Sequence, residues 1–237
     1  MGSKGTKQKA VTVCQVEDLS PRVRRIRFTG HRLKGIKWTP GDKIKLKVRG
    51  KSRSYTPARI DAESGWMDVV FFLHGNGPAS RWAADVSVGD AVKFDKPEKS
   101  ISRTKKAPDW AMFMGDETTI GLATALLESL PKRTEILGAI ELDPADARVL
   151  GALGLPLSAA IRQDYYGDAL VDWCSRTPLP EGKGVIWISG ETVSVRALKR
   201  MLEDRVPSCV RIKTKGYWKA KKRAVCVDTQ KRLLAAK

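Results

Sequence analysis

The first half of the chain alternates apolar and polar residues in short runs, which is the pattern of strands that bury one face. The clearest run is residues 43–48, where lysines alternate with Ile44, Leu46 and Val48 after a Pro-Gly-Asp turn. Turn residues also separate the other short runs, at 11–16, 23–28, 53–56, 67–73 and 91–94. Strands at these intervals predict a small antiparallel six-stranded β-barrel rather than a helical domain.

From Pro108 onward, continuous apolar strands alternate with amphipathic helices. Residues 110–114 predict a buried strand, and apolar residues at helical spacing follow it between 120 and 130. Further strands are predicted at 136–142 and 185–188, with a second helix after the latter. This alternation predicts an α/β domain with a parallel sheet.

The polar stretch 96–108 is the predicted boundary between the two halves. We therefore expect a β-barrel domain at 1–107, with a flexible basic tail at 1–9, and an α/β domain at 108–237 that ends in a basic segment. A chain of 237 residues has room for two such domains. It contains no apolar run of about 18 residues and no apolar stretch behind its first lysines, so we expect neither a membrane span nor a secretory signal.

The four cysteines lie far apart and form no Cys-x-x-Cys pair. This spacing argues against a zinc site, an iron–sulfur cluster or a redox dithiol, and no metal site is expected. Reduced thiols are typical of the cytoplasm, where we expect the protein to be found. We expect all four to be small buried hydrophobic residues, at Cys14, Cys174, Cys209 and Cys226.

Positive charge is concentrated at the two ends of the chain. The formal net charge is +18, and residues 1–60 contain 17 Lys and Arg against 3 Asp and Glu. Residues 211–237 contain 10 against 1, whereas the middle of the chain is slightly acidic. This distribution predicts an anionic partner held between the two ends. Charge alone leaves open a nucleic acid, a membrane surface or a multiply charged small molecule.

Two motifs in the predicted barrel suit an anionic ligand that also carries an aromatic ring. In the strand 53–56, Arg53 and Tyr55 share one face, so that an arginine able to fork onto phosphate lies beside a flat ring. In the stretch 74–82, two glycines precede Pro78, which stands where a helix would begin. Free backbone amides at a helix N-terminus bind anions such as a pyrophosphate.

The candidate residues of the second half follow two of its predicted strands. These strand ends are Gly115-Asp116-Glu117-Thr118 and Gly190-Glu191-Thr192. Open parallel sheets bind ligands outside the carboxyl ends of their strands, so we expect a ligand at this edge.

Five segments together resemble the siderophore-interacting proteins, a branch of the ferredoxin-reductase-like flavoproteins that reduce ferric siderophores. They occur in the order of that family: Arg53-Ser54-Tyr55-Thr56, His74 to Trp82, Gly115-Asp116-Glu117-Thr118, Gly190-Glu191 with Val195-Arg196, and Lys215-Gly216-Tyr217-Trp218-Lys219. The resemblance covers nearly the whole chain. It implies an FAD-binding antiparallel barrel followed by a nicotinamide-binding α/β domain.

The resemblance also implies residue roles. Arg53 would contact an FAD phosphate, Tyr55 would pack on the isoalloxazine ring, and Thr56 would lie near its reactive nitrogen, which makes Tyr55 and Thr56 the catalytic candidates. The other candidates for cofactor binding are Ser54, His74, Gly75, Gly77, Pro78, Ala79, Ser80 and Trp82 on the flavin side, and Asp116, Thr118, Gly190 and Glu191 on the nicotinamide side.

The predicted function is FAD-dependent reduction of an anionic ferric siderophore, with electrons from NAD(P)H or from a reduced ferredoxin. A positive funnel at the exposed flavin edge would attract the anionic chelate and raise the encounter rate. The candidates for this substrate site are Lys45, Lys215, Lys219, Arg103 and Trp218.

Two alternatives stay open. A flavin reductase of the same fold could serve another acceptor, such as a ferredoxin-type partner or haem. A nucleic-acid-binding protein would also explain the basic charge. The sequence contains no helix-turn-helix, zinc-finger or RNA-recognition signature, however, so no nucleic acid is expected as a partner.

Overall fold

Strands form in the first half of the chain because alternate residues are apolar and pack against one shared core. The computed structural model describes residues 9–75, 77–104 and 106–220. One antiparallel sheet contains β1 (Lys9–Ser20), β2 (Val23–Thr29), β3 (Ile44–Val48), β4 (Lys51–Tyr55), β5 (Arg59–Asp61), β6 (Trp66–Phe72) and β7 (Ala91–Phe94). In β3, Ile44, Leu46 and Val48 are buried, whereas the lysines between them are not.

This sheet has seven strands and not the predicted six. The strand order is β4-β3-β7-β1-β2-β6-β5, and the outer strands β4 and β5 do not pair with each other within the described residues. The sheet is therefore curled into a half-barrel rather than closed. The additional strand is β5, which the pattern does not predict because its three residues are all half-buried and do not alternate.

The second half forms a parallel sheet flanked by helices, as predicted. Its strands pair in the order β10-β9-β8-β11-β12. They are β8 (Trp110–Asp116), β9 (Glu135–Leu142), β10 (Ser158–Ile161), β11 (Gly184–Glu191) and β12 (Arg211–Trp218). The helices, with α1 in the first half, are α1 (Pro78–Asp85), α2 (Ile120–Glu128), α3 (Val149–Ala152), α4 (Asp168–Arg176) and α5 (Thr192–Glu203). Strands β8 and β11 lie at the centre and are buried throughout, which explains their continuous apolar sequences.

The segment between β7 and β8 contains the predicted domain boundary. This segment forms hydrogen bonds with residues of both halves of the chain. Glu98 exchanges two backbone hydrogen bonds with Lys43 of the first half, at 2.8 and 2.9 Å. The carbonyl oxygen of Ser102 accepts hydrogen bonds from Trp187 Nε1 at 3.2 Å and Lys213 Nζ at 3.0 Å, in the second half. Of the predicted tail, only Lys9 is described, and it begins β1. Within the described part of the chain, no helix has the length and apolar character needed to cross a bilayer.

The two sheets share an apolar core and a buried polar contact. Leu19, Val23 and Val70 of the first half pack in one cluster with Phe113 and other apolar residues of the second half. Beside this cluster, the fully buried carboxylate of Asp146 accepts hydrogen bonds from Ser20 Oγ at 2.7 Å, Arg22 Nε at 2.9 Å and the Arg22 backbone N–H at 3.1 Å. Asp146 therefore connects the α/β domain to the turn between β1 and β2.

The cysteines have different environments. Cys174 is buried as predicted, but Cys14 and Cys209 are exposed, so the prediction is wrong for these two. Cys14 lies on the exposed face of β1, next to the buried Val13, and Cys209 lies in the turn that precedes β12. Cys226 lies outside the described residues.

Replacing Asp146 with alanine is expected to lower the free energy of unfolding by about 3 kcal/mol, because it leaves a half-buried arginine without its buried partner. The matched control is Asp143→Asn, which keeps a side-chain oxygen for the hydrogen bond from Ala145 N at 3.1 Å. Asp143 also pairs with Arg22, at 3.0 Å, but its side chain is 43% exposed, so losing its charge should cost less than about 1 kcal/mol. Urea denaturation of both variants measures the difference. Equal losses would contradict the role assigned to Asp146.

Candidate functional site

A cavity of about 760 Å³ lies between the two sheets. Its first wall comes from β4 and from the residues that follow β6, and its second wall comes from the ends of β8 and β12 and the loop after β10. Its volume is within the range of about 300–1,000 Å³ that is usual for small-molecule and cofactor sites. The predicted site residues that line it are Arg53, Ser54, Tyr55, Thr56, His74, Thr118, Lys215 and Trp218.

The first wall presents a cation and an aromatic ring. Arg53 is exposed on the edge strand β4, and its guanidinium donates a hydrogen bond to the carbonyl oxygen of Ser52 at 2.9 Å. Among the described residues, no carboxylate forms an ion pair with Arg53, so its charge is available to an anionic ligand. The Tyr55 ring packs against Phe71 with 4.5 Å between ring centroids. Burial raises the pKa of the Tyr55 phenol to about 12, so this wall keeps a neutral ring at physiological pH.

The loop after His74 leads from the cavity to the N-terminus of α1. Gly75 has a φ of +80°, which favours glycine, and its N–H donates to Ser80 Oγ at 2.9 Å. This bond folds the loop against the first turn of the helix. Gly77 is the N-cap and provides no side-chain acceptor, so the first-turn amides of Ala79 and Ser80 are not capped. The backbone there is suited to an anion.

Trp82, on the same helix, does not line the cavity. Its ring lies 6.3 Å from that of Phe28 and 5.8 Å from that of Phe71, between ring centroids. These contacts place Trp82 against the core of the first sheet, where it supports α1. The structure therefore does not bring Trp82 together with the other predicted site residues.

Asp116, at the end of β8, organises the second wall without lining the cavity. Its carboxylate accepts hydrogen bonds from Thr118 N at 3.0 Å, Glu191 N at 2.7 Å and Trp218 Nε1 at 2.9 Å. Gly190 has a φ of +123°, and a Cβ at that position would overlap the Asp116 carboxylate. Burial is the largest effect on Asp116 and raises its pKa. The network fixes the ends of β8, β11 and β12 relative to one another.

Glu191 caps helix α5 and does not line the cavity. Its Oε2 accepts hydrogen bonds from Val193 N at 2.6 Å and Ser194 N at 2.8 Å. A carboxylate at this position satisfies free amides and opposes the positive end of the helix dipole. The Glu191 carboxylate therefore already accepts hydrogen bonds from the protein's own backbone.

One hydrogen bond crosses directly between the two walls. Thr56 Oγ1 and Tyr217 OH lie 2.8 Å apart, and both residues line the cavity. Burial raises the pKa of Tyr217. The hydroxyl of the catalytic candidate Thr56 is thus hydrogen-bonded to a residue of β12, which belongs to the second sheet.

The second wall also contains residues that the sequence patterns do not single out. Arg162 NH2 donates to Glu117 Oε2 at 2.6 Å, and Arg162 Nε lies 3.4 Å from Glu141 Oε2. The Arg162 guanidinium lies 4.5 Å above the ring of Tyr166, which meets Trp218 edge-on at 4.8 Å. One signal could have revealed this cluster, because Glu141 is a carboxylate inside a predicted buried strand and must find a partner.

The basic candidates for substrate binding occupy different places. Lys215 lines the cavity, together with Lys43, which was not among the candidates. Lys45 lies outside the cavity and pairs with Glu98 at 3.0 Å. Lys219 is exposed beyond the end of β12. Arg103 lines a separate cavity of about 170 Å³. Among residues 9–75, 77–104 and 106–220, no cluster of three or more His, Cys, Asp or Glu could hold a metal ion.

Two family models match separate parts of the chain. A model described as siderophore-interacting protein matches residues 108–221, and one described as siderophore-interacting FAD-binding domain matches residues 47–101. The NADPH-dependent ferric-chelate reductase of Escherichia coli is 27% identical over 194 residues, which are 79% of this chain and 71% of that protein.

Solved structures share the fold. A siderophore utilization protein from T. fusca superposes with a TM-score of 0.78 at 24% identity, covering 93% of this chain and 95% of its own. Phthalate dioxygenase reductase gives a TM-score of 0.68 at 15% identity, covering 88% of this chain and 68% of its own. The combination of an antiparallel sheet and a parallel sheet is therefore the fold that these structures share with this chain.

Glu141 makes the stability of the second wall depend on pH. Burial raises the pKa of Glu141 from its usual 4.5 to about 7. Between these values the folded chain holds a proton that the unfolded chain releases, so stability falls as pH rises through this window. The free energy of unfolding of the native protein, relative to Glu141→Gln, should fall by up to about 1.4 kcal/mol per pH unit from pH 4.5 to 7. Urea denaturation at several pH values measures this difference, and a constant difference would contradict the assignment.

Proposed function

The chain belongs to the siderophore-interacting protein family, and on this premise we propose that it is an FAD-dependent reductase of ferric siderophores. One observation carries the proposal most strongly. The cavity between the sheets has an arginine without an ion pair and a flat ring on one side, and the ends of parallel strands on the other; the uncapped amides of α1 lie beyond His74, next to the first wall but not in the cavity lining. The first wall suits a flavin. The second wall suits the molecule that exchanges electrons with the flavin.

The residues of the first wall fit FAD. Arg53 would pair with a phosphate, since no carboxylate in the described part of the chain competes for it. The uncapped amides of Ala79 and Ser80 would receive the pyrophosphate. Tyr55 would support the isoalloxazine ring, and its packing on Phe71 keeps its own ring fixed. Ser54 and His74 line the same wall.

The reaction assigns separate tasks to the protein and to the cofactor. When bound, FAD would supply the redox chemistry that links a two-electron donor to the one-electron acceptor Fe(III), while the protein would supply orientation and charge. Thr56 would position the reactive edge of the ring, because its hydroxyl is fixed by Tyr217. Thr118 would border the donor on the second wall. We propose NADPH or NADH as this donor, since the E. coli relative is NADPH-dependent.

Asp116, Gly190 and Glu191 would act indirectly at this site. Their hydrogen bonds and close approach hold the strand ends that form the second wall, so they would position the wall without touching the ligand.

Iron release would follow from the reduction itself. Chelators that prefer hard Fe(III) bind Fe(II) more weakly, so the iron would be released as Fe(II).

The basic residues at the cavity would attract an anionic ferric chelate. Lys215, Lys43 and Arg53 line it and come from both walls. Lys43 and Lys45 both pair with Glu98, at 3.5 and 3.0 Å. Their contributions would therefore be weaker than those of Lys215 and Arg53. The same basic surface could receive an acidic protein such as a ferredoxin, which stays an alternative donor or acceptor.

Replacing Arg53 with alanine is expected to raise the dissociation constant for FAD about 10- to 100-fold, which corresponds to losing one hydrogen bond between charged groups. Lys51→Ala is the matched control, because Lys51 lies on the same strand and face but does not line the cavity. Fluorescence titration of the apoprotein with FAD measures both. Unchanged affinity in the Arg53 variant, or an equal loss in both variants, would contradict the phosphate assignment.

Lys215→Gln is expected to lower kcat/KM for an anionic ferric chelate several-fold at low salt, with little effect on a neutral chelate. The effect should shrink as ionic strength rises, because salt screens exposed charges. Lys219→Gln is the control, since Lys219 is exposed but lies outside the cavity wall. Equal losses with anionic and neutral chelates would favour the alternative, a flavin reductase that serves another acceptor.

A further inference from the structure

The Glu117 carboxylate is the one side chain of the described cavity wall that has a buried oxygen without a partner. Glu117 is 2% exposed and lines the cavity. Its Oε2 accepts a hydrogen bond from Arg162 at 2.6 Å, whereas its Oε1 is buried and has no hydrogen-bond partner among the described residues. A buried carboxylate oxygen is costly to leave unpaired, so its retention beside a cavity points to a ligand that supplies the donor.

The surroundings of Glu117 hold it in one orientation. Arg162, its partner, is itself held by Glu141 at 3.4 Å and by the ring of Tyr166 at 4.5 Å. Tyr166 is in turn packed edge-on against Trp218. Because this chain of contacts fixes the guanidinium, Glu117 Oε2 is fixed with it. The free oxygen Oε1 is therefore a preorganised acceptor.

The position of Glu117 indicates which ligand would donate a hydrogen bond to Oε1. Glu117 directly follows β8, on the wall formed by the parallel sheet, whereas the proposed flavin contacts lie on β4 and α1. Ligands of parallel sheets lie outside these carboxyl ends, so the group beside Glu117 belongs to the second ligand, the electron donor. A nicotinamide ring carries a carboxamide, whose amino group is a hydrogen-bond donor.

We propose that Glu117 Oε1 accepts a hydrogen bond from the carboxamide amino group of the nicotinamide donor, and this inference rests on the function proposed above. Glu117 is then a positioning residue, because it orients the ring that gives up the hydride. A donor with an acetyl group in place of the carboxamide has a methyl where the amino group would be. This acetyl analogue leaves Glu117 Oε1 without a hydrogen-bond donor. It should therefore bind about 10- to 100-fold more weakly than the carboxamide form.

Calorimetric titration of the FAD-loaded protein tests this preference without turnover. The probes are NAD⁺ and NADP⁺ and their 3-acetylpyridine analogues. The native protein should prefer the carboxamide forms about 10- to 100-fold. In Glu117→Gln, Arg162 is expected to hold the amide oxygen, which turns the amide N–H2 toward the ligand, so the preference should disappear. Glu135→Gln should retain the preference, since Glu135 is exposed and does not line the cavity.

Two results would overturn the inference and leave the proposed function in place. The first is equal binding of both forms by the native protein. The second is a preference that persists in Glu117→Gln; if FAD affinity also falls in that variant, the acceptor is assigned to the flavin imide instead. If the native protein binds FAD but no dinucleotide at all, the nicotinamide donor itself is removed from the proposed function, and the inference fails with it.

Discussion

The cavity exists because the two sheets share one apolar core and cannot separate without exposing it. Residues of β1, β2 and β6 pack in the same cluster as residues of β8 and α2. Asp146 and the Thr56–Tyr217 hydrogen bond add polar contacts across the same seam. Packed interiors are rigid, so β4 and the end of β8 are held at a fixed separation. A ligand between them is oriented by both walls at once.

Polar groups around this seam fall into two kinds. Asp116, Glu191 and Ser80 have their hydrogen bonds satisfied within the protein, and they shape the backbone of the site. Arg53 and Glu117 instead keep a charge or an oxygen without a partner in the described chain. The first kind explains why the site has its shape. The second kind indicates where a ligand would bind.

Much of the fold could be predicted from the sequence because its central strands carry their own burial pattern. The alternation in β3 and the continuous apolar runs of β8 and β11 identify them directly, and Trp110 and Trp187 are fully buried as such runs predict. Strand β10 at the sheet edge and strand β12 have mixed sequences, and tertiary pairing rather than pattern determines them. Arg162 and Tyr166 follow β10, so no local signal reveals them.

The motifs predicted the cavity wall only in part, because a motif gives the residue types but does not say which way each side chain points. Residues 53–56 do line the cavity, whereas Trp82 packs against the first core and Glu191 caps a helix. The pairing of Lys45 with Glu98 joins residues far apart in the chain, and only the fold brings them together. The roles of the individual site residues, and the cytoplasmic location, stay predictions.

The central claim is that FAD lies in the seam between the two sheets. A crystal structure of the protein with FAD tests it most directly. The account predicts an isoalloxazine ring against Tyr55, with the phosphates bound by Arg53 and the amides of Ala79 and Ser80. FAD bound elsewhere, or a seam closed by side chains in crystals grown with excess FAD, would contradict it.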